Sequence, residues 1–296
     1  MISLAHISDV HLAPLPRVTP RDLLSKRFTG WLNWQIKRGH EMKGKTLADL
    51  VAHMKAQRPD MIAVTGDIVN LALDEEIFRA HEWLRSLGEP EDVCTVPGNH
   101  DAYVKGGLEK ALATYGAYMA GETLGNEPFP YLRRIDQVAV IGLSSAIPTG
   151  PFIAAGEVGA GQIERTAKLL NLLGDAGYFR IILIHHPPYP EYADSRRLGL
   201  WDAPQLRAML SQAGAELILH GHTHQSTINA VAGPEREIPV IGVAAGSAAP
   251  GGHDAPARYN LFRIEKAGTE WHCSMREFGY QRLGDGITMR LQMRIS

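Results

Sequence analysis

The chain has 296 residues, 45% of them hydrophobic and 21% charged, with a formal net charge of -2. That composition suits a globular protein with a sizeable core, and the near-neutral balance excludes a global attraction to nucleic acid or anionic membrane. Two widely separated cysteines, Cys94 and Cys273, exclude a disulfide framework, and no apolar stretch approaches membrane-spanning length.

In chain order, residues 2–8 form a short strand that stops at Asp9-Val10-His11, beyond which Pro14 and Pro16 break the chain. Thr19-Pro20 reads as the cap and first turn of a helix over 20–38 that carries Leu23, Leu24, Phe28, Trp31, Leu32, Trp34 and Ile36 among basic residues. A helix over 46–57 precedes the strand 61–65, which ends at Gly66-Asp67. A helix over 74–87 precedes the strand 93–96, which ends at Pro97-Gly98-Asn99-His100-Asp101. Helices are predicted at 107–120, 161–173 and 203–212, and paired strands at 133–135 and 138–143. The strand 180–184 runs into His185-His186-Pro187-Pro188, and Glu216 to His220 runs into Gly221-His222-Thr223-His224. Strands near 226–231, 238–243, 259–264 and 270–276 close the chain, and residues 244–257 form a long loop. Strands that alternate with helices early and cluster late predict two packed sheets with helices outside, in a single domain over 1–296.

The same layout recurs five times: an apolar strand, then ligand-type side chains where it stops. In open α/β sheets that edge is where ligands bind. Asp9, His11, Asp67, Asn99, His185, His222 and His224 make two carboxylates, an amide and four imidazoles. That is too many for one tetrahedral ion and enough for two, with a carboxylate between them. Nitrogen and oxygen donors without thiolate point to Mn, Fe, Zn or Co. Gly221 is expected to allow a backbone geometry that a larger residue would resist.

Asp9-Val10-His11, Gly66-Asp67, Gly98-Asn99-His100-Asp101, His185 and Gly221-His222-Thr223-His224 together resemble the motif set of the calcineurin-like metallophosphoesterases. The resemblance covers residues 3 to about 245. It implies a four-layer α/β/β/α sandwich and two divalent ions, Mn favoured over Fe or Zn. One ion would be held by Asp9, His11, Asp67 and His224, the other by Asp67, Asn99, His185 and His222. His185 is preferred to His186 because it stands two residues before Pro187. The implied reaction is phosphodiester hydrolysis by metal-bound hydroxide. His100 would contact the phosphate or protonate the leaving oxygen, with Asp101 orienting its ring; the other reading of Asp101 is a helix cap. Arg196 and Arg197 reach the substrate or form a solvated surface.

The substrate is the open question, and the segment 17–42 bears on it. Trp31 and Trp34 beside lysines and arginines suit a membrane interface, a core-packed helix or a dimer surface that would make a homo-oligomer. The text His11-Leu12-Ala13-Pro14-Leu15-Pro16, with Lys26-Arg27 and Asn33-Trp34, resembles a bacterial branch of the family that acts as phospholipase C. The leading expectation is therefore hydrolysis of a glycerophospholipid headgroup. It would be done by a cytoplasmic protein, peripheral on the inner membrane face, that touches lipid through Trp31 and Trp34. The alternative is a soluble 3′,5′-cyclic nucleotide or glycerophosphodiester phosphodiesterase.

Overall fold

The computed structural model describes residues 1–35, 44–282 and 284–296. Two mixed sheets carry the fold. In the first, β1 (Ile2–Ile7), β2 (Met61–Val64) and β3 (Val93–Thr95) run parallel. They are extended on the other side by an antiparallel set, β11 (Arg258–Ala267), β12 (Glu270–Gly279) and β13 (Thr288–Arg294), in the order β13-β12-β11-β1-β2-β3. The second sheet contains β4 (Glu122–Thr123), β5 (Tyr131–Ile135), β6 (Val138–Gly142), β7 (Phe179–Leu183), β8 (Leu217–His220), β9 (Ile228–Val231) and β10 (Ile238–Gly242). Its order is β4-β5-β6-β7-β8-β10-β9, with β6, β7, β8 and β10 parallel.

The period-2 rule for strands explains how the sheets stack. Val138, Val140, Phe179, Ile181, Leu183, Leu217 and Leu219 join the core shared with the first sheet. Their neighbours Ala139, Ile141, Ile182, Ile184 and Ile218 belong to a second core. That core is closed by Leu169, Leu170 and Leu173 of one helix (Ala160–Asp175) and Leu206 and Leu210 of another (Ala203–Ala213). On the first sheet's outer face, Leu47, Leu50 and Met54 of the helix Gly44–Ala56 and Ile77, Ala80 and Leu84 of the helix Asp74–Leu87 are buried. Both faces of each sheet are thus covered, which is why the central strands read as continuous apolar runs. The four-layer α/β/β/α arrangement expected from the sequence is the one observed.

The helix over 20–38, its cap and the number of strands need correction. Of the described part of the helix expected over 20–38, residues 20–26 form turns and bends, Arg27–Asn33 is α-helical, and Trp34 and Gln35 continue as a π-helical turn. Thr19 does not cap it. Its N–H and hydroxyl both donate to Asp22 Oδ2, at 2.9 and 2.6 Å, and this closes a local turn that competes with helix formation. Ile36, Lys37 and Arg38 of that expected helix lie outside the described residues, as does most of 35–42 in the expected insertion. The strand β13 was not foreseen, because Thr288–Arg294 has an exposed, polar-rich sequence; pairing with β12 defines it. The two-residue β4 was also too short to read.

Candidate metal centre

The C-terminal ends of β1, β2 and β3 in the first sheet and of β7 and β8 in the second meet at one end of the sandwich, and the backbone turns sharply there. Asp9, His11, Asp67, His222 and His224 all adopt positive φ, at 51°, 37°, 54°, 69° and 54°. Side chains other than glycine avoid this region, and clusters of such strain mark functional sites. Here the left-handed turns bring residues two apart, Asp9 with His11 and His222 with His224, toward common points. Gly221 does not lie in the left-handed region, and a larger residue would be resisted there for want of space. What it supplies is space: a Cβ there would collide with Ser8 Oγ and stand 2.6 Å from Asp9 Oδ2. Gly66 does have a positive φ, 87°, and it lies against Gly98 and His185.

Two groups form around Asp67. On one side, His224 Nε2 is 3.4 Å from Asp9 Oδ1 and 3.3 Å from His11 Nε2. On the other, His185 Nε2 is 3.2 Å from Asn99 Oδ1. Asp67 Oδ2 lies between them, 3.8 Å from His11 Nε2 and 3.5 Å from His185 Nε2. Each imidazole is anchored through its other nitrogen. Nδ1–H of His11 donates to the Val69 carbonyl, that of His185 to the Thr65 carbonyl and that of His224 to Asp254; Nε2–H of His222 donates to the Leu198 carbonyl. Such outer partners fix ring orientation in metal sites. His186 differs, since Ser145 Oγ and the Ala154 carbonyl occupy both of its nitrogens.

This arrangement suits cations. Among the described residues, Asp9 Oδ1 is fully buried with no hydrogen-bond partner. It faces imidazole nitrogens that carry lone pairs once the opposite nitrogen holds the proton, and acceptors gathered this closely repel one another unless a proton or metal stands among them. The proton distribution makes the same point. Burial alone would raise Asp67, yet the charges of His185, His100 and His11 hold it well below the ordinary carboxylate value. Burial would lower His185, but Asp67 and then Asp9 raise it to about 9. Burial and the His185 charge push His222 down to about 3.

His100 sits at the mouth. Its backbone N–H donates to Asp67 Oδ1 at 2.7 Å, and its Nδ1–H donates to the Asn70 carbonyl at 2.5 Å. The expected orienter, Asp101, does not touch that ring. Its carboxylate instead accepts backbone N–H groups from Asp67 and Gly98, at 2.9 and 2.8 Å, and from Ile68 at 3.2 Å. It ties the β2 and β3 loops together because a buried carboxylate among amides is satisfied by them. Burial and then Asp67 push it up to about 7.

A cleft of about 300 Å³ opens from Asn99 and His100 and is walled by Lys26, Trp34, Tyr103 and Phe152. Trp34 is in that wall; Trp31 is not, and packs half-buried on the core. Arg196 and Arg197 do not line the cleft. Both are exposed, and the Arg197 carbonyl accepts from Ala154 N–H while that of Arg196 accepts from Trp201 Nε1–H, so the loop is held by its backbone and its arginines face outward. Asn70, Tyr103 and Asp254 escaped the sequence reading. Asp254 lies in the long loop 244–257, where no local pattern marks it.

A family model described as "Calcineurin-like phosphoesterase" matches residues 2–226. The chain belongs to the calcineurin-like phosphoesterase family. This phosphoesterase is a metal-dependent phosphoric ester hydrolase, and its His/Asp clusters and family point to a site for two metal ions. It is 27% identical over 233 residues to a glycerophosphodiester phosphodiesterase, GpdQ, of Enterobacter lignolyticus, covering 76% of this chain and 72% of the relative. It is 23% identical over 231 residues to a probable cyclic nucleotide phosphodiesterase of Synechococcus, covering 77% and 75%. Its fold is similar to that of a dimetal phosphatase from Danio rerio, with a TM-score of 0.64 at 13% identity over 100% of this chain and 98% of the other. Among the described residues, no helix is long and apolar enough to cross a membrane.

Proposed function

We propose that this protein hydrolyses small phosphodiesters, with glycerophosphodiesters ahead of 3′,5′-cyclic nucleotides. The observation that carries the reading is Asp67 Oδ2 lying between the His11 and His185 nitrogens, beside a cleft large enough for one small alcohol. The names of the relatives support the same class. Asp9, His11, Asp67 and His224 would hold one ion and Asp67, Asn99, His185 and His222 the other. Mn, Fe or Zn suits those donors, with Mn favoured. When bound, two divalent ions polarise phosphoryl oxygens and lower the pKa of water.

The chain's own residues do the rest. His100 keeps its Nδ1 proton on the Asn70 carbonyl, so Nε2 is the nitrogen that gains and delivers a proton. As an imidazolium, His100 gives the Nε2 proton to the leaving oxygen, and the freed alcohol departs along the cleft. Asp101 acts on the reaction through the Asp67 and Gly98 backbone, which it positions.

A second reading, headgroup hydrolysis on phospholipid, is supported by exposed apolar side chains near the cleft: Leu24, Phe28 and Leu32 at 87%, 49% and 43% exposure, and Phe152 at 76%. An assay with Mn²⁺ of glycerophosphoglycerol, 3′,5′-cyclic AMP and phosphatidylethanolamine vesicles separates the readings. Turnover of the soluble glycerophosphodiester at least tenfold above both others is expected. Turnover only of vesicles would replace the first reading with the second.

A further inference from the structure

Among the described residues, Lys26 is a cation without an acidic partner within ion-pair distance. Its Nζ donates to Thr149 Oγ1 at 2.7 Å and to the Ile153 carbonyl at 2.8 Å. An ammonium has three N–H donors, so two neutral oxygens leave one proton and most of the charge uncompensated. Among the described residues, no Asp or Glu lines the cleft and no carboxylate pairs with Lys26. Burial lowers it to about 8 against the pull of Asp67, so the ammonium is held where solvent supports it poorly.

Its position relative to the chemistry follows from Tyr103. Lys26 Nζ lies over the Tyr103 ring, 4.7 Å from its centroid. The His100 ring stacks on Tyr103 at 5.2 Å with planes 12° apart. One aromatic ring therefore links the His100 imidazole to the Lys26 ammonium, and all three line the same cleft.

Resting on the reading in which the leaving alcohol sits beyond His100, we infer that Lys26 is a substrate-binding residue that selects phosphodiesters whose leaving alcohol carries an anionic group. A carboxylate or phosphate on that alcohol supplies the missing counter-charge, and charge-assisted hydrogen bonds are the strong ones. The aromatic walls would by themselves suit a quaternary ammonium. Lys26 already occupies the Tyr103 face, however, and its charge repels a second cation.

The test compares kcat/KM for 3-carboxyphenyl methyl phosphate and 3-(trimethylammonio)phenyl methyl phosphate, with Mn²⁺, in wild type and variants. Taking each variant's anionic-to-cationic ratio relative to wild type cancels the difference in leaving-group acidity. Lys26→Met should lower that ratio at least tenfold and Lys26→Glu further, whereas Thr149→Val, which removes a tether but no charge, should keep it. If Lys26 only fastens the 149–153 loop, Lys26→Met and Thr149→Val will lower both substrates together and reduce Tm, and the inference fails. Calorimetric binding of methyl (3-carboxybenzyl)phosphonate, which cannot release its benzyl group by hydrolysis, gives a second readout. If no diester is turned over, the hydrolytic reading fails. Tenfold weaker binding of this phosphonate to Lys26→Met would still support the subsite, and equal binding would overturn it.

Discussion

Asp254 Oδ2 stands 3.1 Å from Nδ1 of His224. Asp254 belongs to the loop between β10 and β11, so a late segment of the chain sets the ring angle of a histidine carried just past β8. The carboxylate fixes the tautomer, turns Nε2 toward Asp9 and makes the ring more basic. Removing such an outer partner costs 10–100-fold in metal affinity in comparable sites. Asp254→Ala should weaken the ion on the Asp9–His11–His224 side by about that factor, and Asp254→Asn by less, because an amide oxygen still accepts from Nδ1–H. Unchanged affinity in a Mn²⁺ titration of Asp254→Ala would remove the role assigned to it.

His100→Ala should leave both ions in place and lower kcat by about 10²–10⁴-fold, the range for one positioned acid. The basis is geometric: the ring is held by the Asn70 carbonyl and stacked on Tyr103, while its backbone N–H, which the variant keeps, is what touches Asp67. Loss of metal in elemental analysis of the variant would make His100 a ligand, and the division of roles above would have to be redrawn.

The sequence displayed the strand ends well because they combine two strong signals, apolar runs of four to six residues and ligand-type side chains after them. Asp9, Asp67 and His185 could each be placed at a strand's C-terminal end without coordinates for that reason. The outer partners were illegible for the opposite reason. Asn70 acts through a backbone carbonyl, and Asp254 sits in a loop with no periodicity. The role given to Asp101 failed because adjacency in sequence to His100 suggested a contact, whereas the turn at Gly98 points its carboxylate back at the Asp67 and Gly98 amides. A helix over 20–38 treats Trp31 and Trp34 alike. At Trp34 the α-helix passes into a π-helical turn, and the two rings part, one to the core and one to the cleft.

Metal uptake should release protons. Without metal, Asp67 and Asp9 outweigh burial and raise His185 to about 9, above an unfolded value of 6.5. The protonated ring thus stabilises the metal-free fold fully below pH 6.5, and this contribution is lost as pH rises through about 9. A cation must displace that proton, so apparent affinity should rise about tenfold per pH unit from neutrality toward 9 and then level. Calorimetry of Mn²⁺ binding in buffers of different ionisation enthalpy counts the protons released. A count of zero at pH 7.5 would contradict a His185 that is protonated before metal arrives.

The exposed apolar residues beside the cleft give the last prediction, which decides between a soluble and a lipid substrate. Leu24, Phe28 and Leu32 point into solvent and do not line the cleft, so they hold neither the core nor the substrate alcohol. The triple change Leu24→Ser, Phe28→Ser, Leu32→Ser should leave Tm nearly unaltered and kcat/KM on a soluble glycerophosphodiester within about twofold, since exposed substitutions away from special contacts are usually worth within ±0.5 kcal/mol. If these side chains enter a bilayer interface, hydrolysis of phospholipid vesicles should instead fall steeply, because interfacial binding scales with the apolar area inserted. Trp31→Ala is the contrasting control. Its ring packs against the core, so it should lower Tm and depress every activity together, with a stability loss below the roughly 3–5 kcal/mol of a fully buried aromatic. Equal vesicle hydrolysis by the triple variant and the wild type would set aside the lipid-facing role and leave the soluble phosphodiesters as the substrates.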